Sequence, residues 1–137
     1  MKKIVFAILA SVVVIVSSCS KYADGPKFSL RTKVARLTGH WAIEKVLVNG
    51  NDVTSTYTTG NPSFAMDILK SKRWGVQGAY NDYGSWSLGE DKDDITLTSE
   101  LPGSQPKAYR ILKLENKELW WKYTDPAGLV TETHFKQ

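Results

Sequence analysis

Apolar and polar residues alternate along most of the chain after residue 40, as in β-strands that bury one face. The first alternating run follows Gly39 and ends at Asn49-Gly50, two residues that accept the positive φ of a turn. Seven further runs follow, at 63–69, 73–80, 85–88, 94–99, 107–114, 118–124 and 129–136. Turn signals at roughly every 8–12 residues indicate an antiparallel barrel or sandwich. We predict an all-β fold, a small eight-stranded antiparallel up-and-down barrel.

Two features of the first strand and its loop are left open by the pattern. Trp41, Ile43 and Leu47 share one face, but Lys45 falls on that face as well. Either Lys45 extends its ammonium to a barrel mouth, or a β-bulge shifts the register. The segment 49–62 is long for a hairpin loop, and long loops are often functional. Whether it contains a short helix or strand is not decided by its composition.

A short N-terminal helix is predicted before strand one. Leu30, Val34 and Leu37 recur at helical spacing, and Ser29 can cap the first turn. The basic residues here are Lys27, Arg31, Lys33 and Arg36. We interpret them as a solvated side of the helix, in preference to a collar that contacts anionic lipid head groups.

The first 18 residues have the pattern of a signal peptide. Two lysines precede an apolar run of 13 residues at 4–16, shorter than the roughly 18–20 residues that span a bilayer. Val16-Ser17-Ser18-Cys19 resembles a bacterial lipobox, in which the cysteine is lipidated before cleavage. Cys19 is the only cysteine, so we favour lipidation with acyl chains such as palmitate over an ordinary secretory signal.

These features divide the chain into a signal peptide (1–18), a flexible tether (19–28) and a barrel domain (29–137). The tether is polar and contains Gly25-Pro26. Ser20, and not Asp, follows the cysteine, which in the bacterial sorting scheme indicates the outer membrane, with the face undetermined. Without Lys2 and Lys3 the chain has 16 basic and 14 acidic residues, which gives no case for nucleic acid binding.

The order of motifs resembles the lipocalin (calycin) group, in the short form found in Bacteroidetes-type lipoproteins. The resemblance is carried by Gly39-x-Trp41 and the preceding basic segment, by Gly84-Ser85-Trp86, and by the run 109–114 followed by Glu118-Leu119. It covers about residues 25–136 and implies a barrel that holds an apolar ligand. Pro126 after Thr124-Asp125 and the absence of a late Arg depart from larger lipocalins and argue against a large cavity.

No catalytic motif, cofactor site or metal site is predicted. His40 and His134 could meet where the barrel closes and bind a metal with a nearby Glu, but outward, half-exposed histidines are the favoured interpretation. The acidic turn at 90–94 is interrupted by Lys92 and lacks the glycine spacing of a calcium loop. We therefore do not predict an enzyme.

The aromatic residues carry the strongest signal, with five Trp in the chain. Alternation predicts an inward set that fills the barrel or lines a pocket: Trp41, Phe64, Met66, Trp74, Tyr80, Trp86, Trp121 and Tyr123. A filled barrel is favoured, because eight strands leave room for little beyond their own side chains. Trp120 precedes an inward Trp121, so it points outward and is a candidate surface contact.

Two functions are therefore predicted as alternatives. The first is a lipid-anchored envelope protein whose barrel binds a small apolar or amphipathic ligand. The second is a solid barrel that docks on another envelope protein or a glycan, through its loops or Trp120.

Overall fold

The computed structural model describes residues 30–78 and 81–137 and shows a closed antiparallel barrel. Eight strands form the barrel, and the two-residue β2 is an extra strand beside the end of β1. The strands are β1 (Gly39–Val48), β2 (Asn51–Asp52), β3 (Ala65–Ile68), β4 (Arg73–Gln77), β5 (Asp82–Leu88), β6 (Asp94–Ser99), β7 (Lys107–Leu114), β8 (Glu118–Thr124) and β9 (Val130–Lys136). The helices are α1 (Lys33–Leu37) and α2 (Thr54–Gly60). The predicted eight-stranded barrel with a short leading helix is confirmed.

Strand β1 closes the barrel because it pairs with both β3 and β9. The β1–β9 register shifts between Ile43 and Lys45, which is a β-bulge. After the bulge Val46 points inward and is 1% exposed, whereas Leu47 lies opposite Glu132 on the outer face. The bulge is therefore the correct interpretation of Lys45, and the predicted inward position of Leu47 is wrong.

Helix α1 closes one end of the barrel, which we call the α1 end. It begins at Lys33, because Thr32 is its N-cap and the Thr32 hydroxyl accepts from Ala35 N at 3.1 Å. Leu37 is fully buried, whereas Leu30 is 90% exposed and lies outside the helix. The predicted helix exists but is shorter than 29–37, and its predicted cap, Ser29, lies outside the described residues.

The basic residues of α1 bind the barrel instead of forming a purely solvated side. Arg36 donates to the carbonyl oxygen of Leu114 at 2.9 Å. The Lys33 ammonium lies 3.6 Å from Asp93 and also donates to the carbonyl oxygen of Lys92. These contacts fix α1 to the ends of β6 and β7, so the helix is a part of the barrel domain.

The 49–62 loop contains β2 and α2, which its composition did not reveal. The Thr54 hydroxyl and backbone N–H both donate to Asp52 Oδ1, at 2.6 and 2.9 Å, and these bonds lower the pKa of Asp52. The Thr54 hydroxyl also accepts from the backbone N–H of Val46 at 2.9 Å. Hydrogen bonds to β1 therefore hold α2 at the end of the barrel opposite α1, which we call the open end.

The boundaries of β4 and β5 differ most from those predicted. Strand β4 ends at Gln77 and not at residue 80, and residues 79 and 80 lie outside the described range. Strand β5 begins at Asp82, three residues before the predicted start at residue 85. Gly84 is buried within β5, where it pairs with Ser99 of β6.

Candidate functional site: a cavity at the open end of the barrel

The barrel interior is filled at the α1 end and hollow at the open end. The packed half consists of large apolar side chains: Leu37, Trp41, Ile68, Trp86, Ile95, Leu114 and Leu119. Beyond them lies a cavity of about 440 Å³, lined by side chains from the barrel strands together with Tyr57 of α2 and Ser104 and Gln105 of the β6–β7 connection. The filled barrel favoured by the sequence is therefore found in only one half of the interior.

The inward side chains change from apolar to polar along the strands toward the open end. On β7 the inward residues are Ile111, Tyr109 and Lys107 in that order. The same progression occurs on β6 (Ile95, Leu97, Ser99), on β8 (Leu119, Trp121, Tyr123) and on β9 (Phe135, Thr133, Thr131). The cavity thus has an apolar floor and a polar rim.

Aromatic rings form a continuous wall on one side of the cavity. Tyr109 lies 4.6 Å from Trp121 and 5.4 Å from Tyr123, measured between ring centroids. Trp121 meets Phe135 edge to face at 5.0 Å, and Phe64 lies 6.3 Å from the same ring. Such pairs hold each other in place beyond their burial alone, so the wall is pre-organised.

The Trp74 indole borders the cavity and carries an unused donor. Its side chain is 7% exposed, and its Nε1–H is buried with no acceptor among residues 30–78 and 81–137. Leaving a buried donor unpaired costs about 1–3 kcal/mol.

Two charged side chains lie at the rim, and their surroundings differ. Asp82 Oδ1 accepts from the Ser99 hydroxyl at 2.5 Å and from the backbone N–H of Tyr83 at 2.7 Å. The Lys107 ammonium lies 5.9 Å from the ring centroid of Tyr123, and it forms no salt bridge with any residue in the described part of the chain. The rim therefore combines a carboxylate that is already hydrogen-bonded with an ammonium that has no counter-ion there.

The structure places most of the predicted lining residues around the cavity. Five of them border it: Phe64, Met66, Trp74, Trp121 and Tyr123. Trp41 and Trp86 lie instead in the packed half, where their Nε1 atoms donate to the carbonyl oxygens of Leu37 and Leu69, each at 2.9 Å. These two point inward as predicted and fill the barrel without bordering the cavity, because alternation identifies the inward face and not the depth. Tyr80 lies outside the described residues.

Several lining residues were missed by the sequence reading. The strongest omissions are on β7 and β9, where Lys107, Tyr109, Thr131 and Thr133 border the cavity. Phe135, which alternation also places on the inward face, borders it as well. Their signal was the alternation of inward and outward residues on β9 and on β7 before its register shift at Ile111–Lys113. Asp82 was missed because it lies between the predicted runs 73–80 and 85–88, although it belongs to β5.

Trp120 lies on the outer face of β8, in contact with its neighbours. Its ring stacks on His134 at 4.0 Å with a 4° interplanar angle, and the Lys113 ammonium lies 4.5 Å from its centroid. A hydrogen bond from Lys113 lowers the pKa of Glu118 on the same face. Trp120 is consequently half-buried, and its predicted docking role stays a prediction.

The two histidines do not come together. His40 Nδ1 lies 2.8 Å from Asp67 Oδ1 on β3, and His134 Nε2 lies 2.6 Å from Glu132 on β9. Across the part of the chain that the structure covers, no three His, Cys, Asp or Glu side chains are grouped as metal ligands would be. The acidic turn faces Arg110, which lies 3.4–3.8 Å from Asp91, Asp93 and Asp94.

Fold and site together define a small closed antiparallel barrel with one packed end and one amphipathic cavity. No protein-family model matches the chain, and no curated protein matches it either. None of the helices in the described ranges has the length and apolar character needed to cross a bilayer. The lipocalin resemblance stays a prediction.

Proposed function

We propose that this protein is a ligand-binding module, whose barrel holds a small apolar or amphipathic molecule in the open-end cavity. The observation that carries the proposal is the cavity itself. Its volume of about 440 Å³ falls within the roughly 300–1,000 Å³ of small-molecule sites. Its lining, mostly aromatic and aliphatic with a few polar groups at the rim, is also typical of such sites.

Packing supports the same conclusion. Protein interiors are normally close-packed, with few voids larger than a water molecule, so a cavity of this size inside the barrel is unusual. A ligand seated in it would cover the rings of Tyr109, Trp121 and Phe135, and burial of apolar surface favours binding.

Binding of a neutral fluorescent probe tests this function. The mature chain, residues 19–137 with Cys19→Ala to remove the lipid, is titrated with N-phenyl-1-naphthylamine. We expect saturable probe fluorescence and quenching of Trp emission, because Trp74 and Trp121 border the cavity. A Kd above about 100 μM, which corresponds to about −5.5 kcal/mol, would contradict the proposal.

A matched pair of substitutions locates the probe. Thr133 points into the cavity on β9, and Thr98 is exposed on β6. Thr133→Phe should weaken probe binding at least about tenfold because the added ring occupies the cavity, whereas Thr98→Phe should not. Equal effects of the two variants would place the probe outside the barrel.

We further propose that Cys19 carries lipid and holds the protein in the cell envelope, at the outer membrane. The support is the lipobox-like segment, the single cysteine and Ser20 after it. Each buried CH₂ of an acyl chain contributes about 0.8 kcal/mol, so several chains exceed any other anchor in this sequence.

Palmitate labelling of cells tests the anchor. The native chain should incorporate label and sediment with membranes. Cys19→Ala, expressed behind a cleavable secretory signal in place of residues 1–18, should lose the label and become soluble. Ser20→Ala in the native chain is the control and should remain labelled. Label on the Cys19→Ala chain, or its retention in the membrane pellet, would contradict lipidation at this residue.

A further inference from the structure

We infer that the cavity selects a single-chain amphiphile with an anionic head group, bound with its head at Lys107 and its tail toward the packed half. The inference rests on the proposed function, and it adds the charge and the orientation of the ligand. It follows from the charges at the rim and from the order of side chains down the cavity.

The positive charge at the rim is available to a ligand. Lys107 lines the cavity at the first residue of β7, and its ammonium lies over the Tyr123 ring, which lines the cavity as well. No carboxylate of the described residues forms a salt bridge with it. A cation beside a low-dielectric wall attracts an anion more strongly than one in open water.

The negative charge at the rim is already engaged. Asp82 Oδ1 receives hydrogen bonds from Ser99 on β6 and from its own strand at Tyr83. The Ser99 hydroxyl also accepts from the backbone N–H of Leu101 at 3.1 Å, so the carboxylate is part of the structure that joins β5 to β6. A cationic head group would be repelled by the Lys107 ammonium. The carboxylate that could attract it, Asp82, already accepts two hydrogen bonds.

The remaining polar groups at the rim are neutral and can donate hydrogen bonds. Ser104 and Gln105 line the cavity from the β6–β7 connection beside Lys107, and Thr131 lines it from β9. Hydroxyl and amide donors near an ammonium suit the oxygen atoms of a carboxylate or phosphate. Together with the Lys107 ammonium, these donors form a site with one positive charge and several hydrogen-bond donors for a carboxylate or phosphate.

The depth order of the walls fixes the orientation. Trp74, Met66, Trp121 and Phe135 form the apolar floor with the uncharged Thr133 beside Trp121, and both charged lining residues lie at the rim. A ligand bound with its head group at the floor would place a charge among these rings without a charged partner, which costs several kcal/mol. The tail therefore occupies the floor.

A set of ten-carbon ligands that differ only in the head group tests this inference. Decanoate, decanol and decyltrimethylammonium are compared at pH 8 by displacement of N-phenyl-1-naphthylamine from the mature Cys19→Ala chain. We expect decanoate to bind most tightly. Lys107→Gln should weaken decanoate about three- to tenfold and leave decanol unchanged. Added salt should weaken decanoate binding to the unsubstituted barrel and have little effect on Lys107→Gln.

Lys122→Gln is the matched control, because Lys122 is exposed on the outer face of β8 near the same end. Equal affinity for decanoate and decanol, tighter binding of the quaternary amine, or equal effects of the two lysine variants would each overturn the inference. In those cases the neutral probe still binds and the proposed function stands. Failure of the neutral probe and of all three ligands would instead contradict the proposed function.

Discussion

Replacement of Trp41 by alanine is expected to lower the free energy of unfolding by about 3–5 kcal/mol, a typical cost for removing a large buried aromatic side chain. Trp41 is fully buried, and it is the largest fully buried side chain in the described residues. Its Nε1 donates to the carbonyl oxygen of Leu37 at 2.9 Å. The substitution therefore opens a cavity in the packed half and also removes the hydrogen bond between β1 and the last residue of α1.

Urea unfolding of two further variants separates these contributions. Trp41→Phe retains a ring but leaves the Leu37 carbonyl without its donor, and it should cost about 1–3 kcal/mol. Trp120→Ala removes another tryptophan side chain, one that is half-buried on the outer face, and should cost less than Trp41→Ala. A loss of under about 1 kcal/mol for Trp41→Ala would contradict its place at the centre of the packed half.

Gly84→Ala is expected to lower the free energy of unfolding by about 3 kcal/mol or more, because overpacking against a backbone cannot be relieved by a side-chain rotation. A Cβ at Gly84 would lie 1.8 Å from the carbonyl oxygen of Thr98 on β6 and 2.8 Å from its carbon. Strands β5 and β6 would have to separate, which would break their ladder of hydrogen bonds.

Gly75→Ala on the neighbouring strand β4 is the matched control. Its Cβ would meet only ordinary contacts, at 3.7 Å from the Asp82 carbonyl oxygen and 3.8 Å from Tyr83 Cβ. We expect a change within about 1 kcal/mol, and a slight gain is reasonable because alanine restricts the unfolded chain. Thermal unfolding followed by near-ultraviolet circular dichroism measures both variants. Similar stabilities for the two would show that β5 and β6 are not held this closely.

The fold class could be predicted because a period of two is a local property of each strand. The runs on β3 and β6 through β9 alternate clearly enough that their limits are predicted to within a residue or two. A bulge after Ile43 interrupts the alternation. The sequence shows a lysine, Lys45, on the apolar face, but it does not show that a register shift is the cause. Only pairing with β9 decides that Val46 and not Leu47 points inward.

The cavity was harder to predict because depth in a barrel depends on strands that are distant in sequence. Trp41, Trp86 and Trp121 have the same local pattern, yet only Trp121 borders the cavity. The sequence of helix α2 has no apolar period that would predict it. The helix is held in place by hydrogen bonds instead, from Thr54 to Asp52 and from Val46 N to Thr54. Gly84 was left outside the predicted run 85–88, because its close contact with Thr98 of β6 cannot be inferred from the sequence.

The division of the interior into a packed half and a hollow half has a consequence for the effects of substitutions. Stability depends most on Trp41 and its packed neighbours, whereas in the proposed function the rim positions, which are less buried, would set the chemical preference. If the proposed function holds, substitutions at Lys107 or Thr131 would change the preferred ligand and leave the packed half intact. Folding stability and ligand selectivity would then depend on different parts of one small domain.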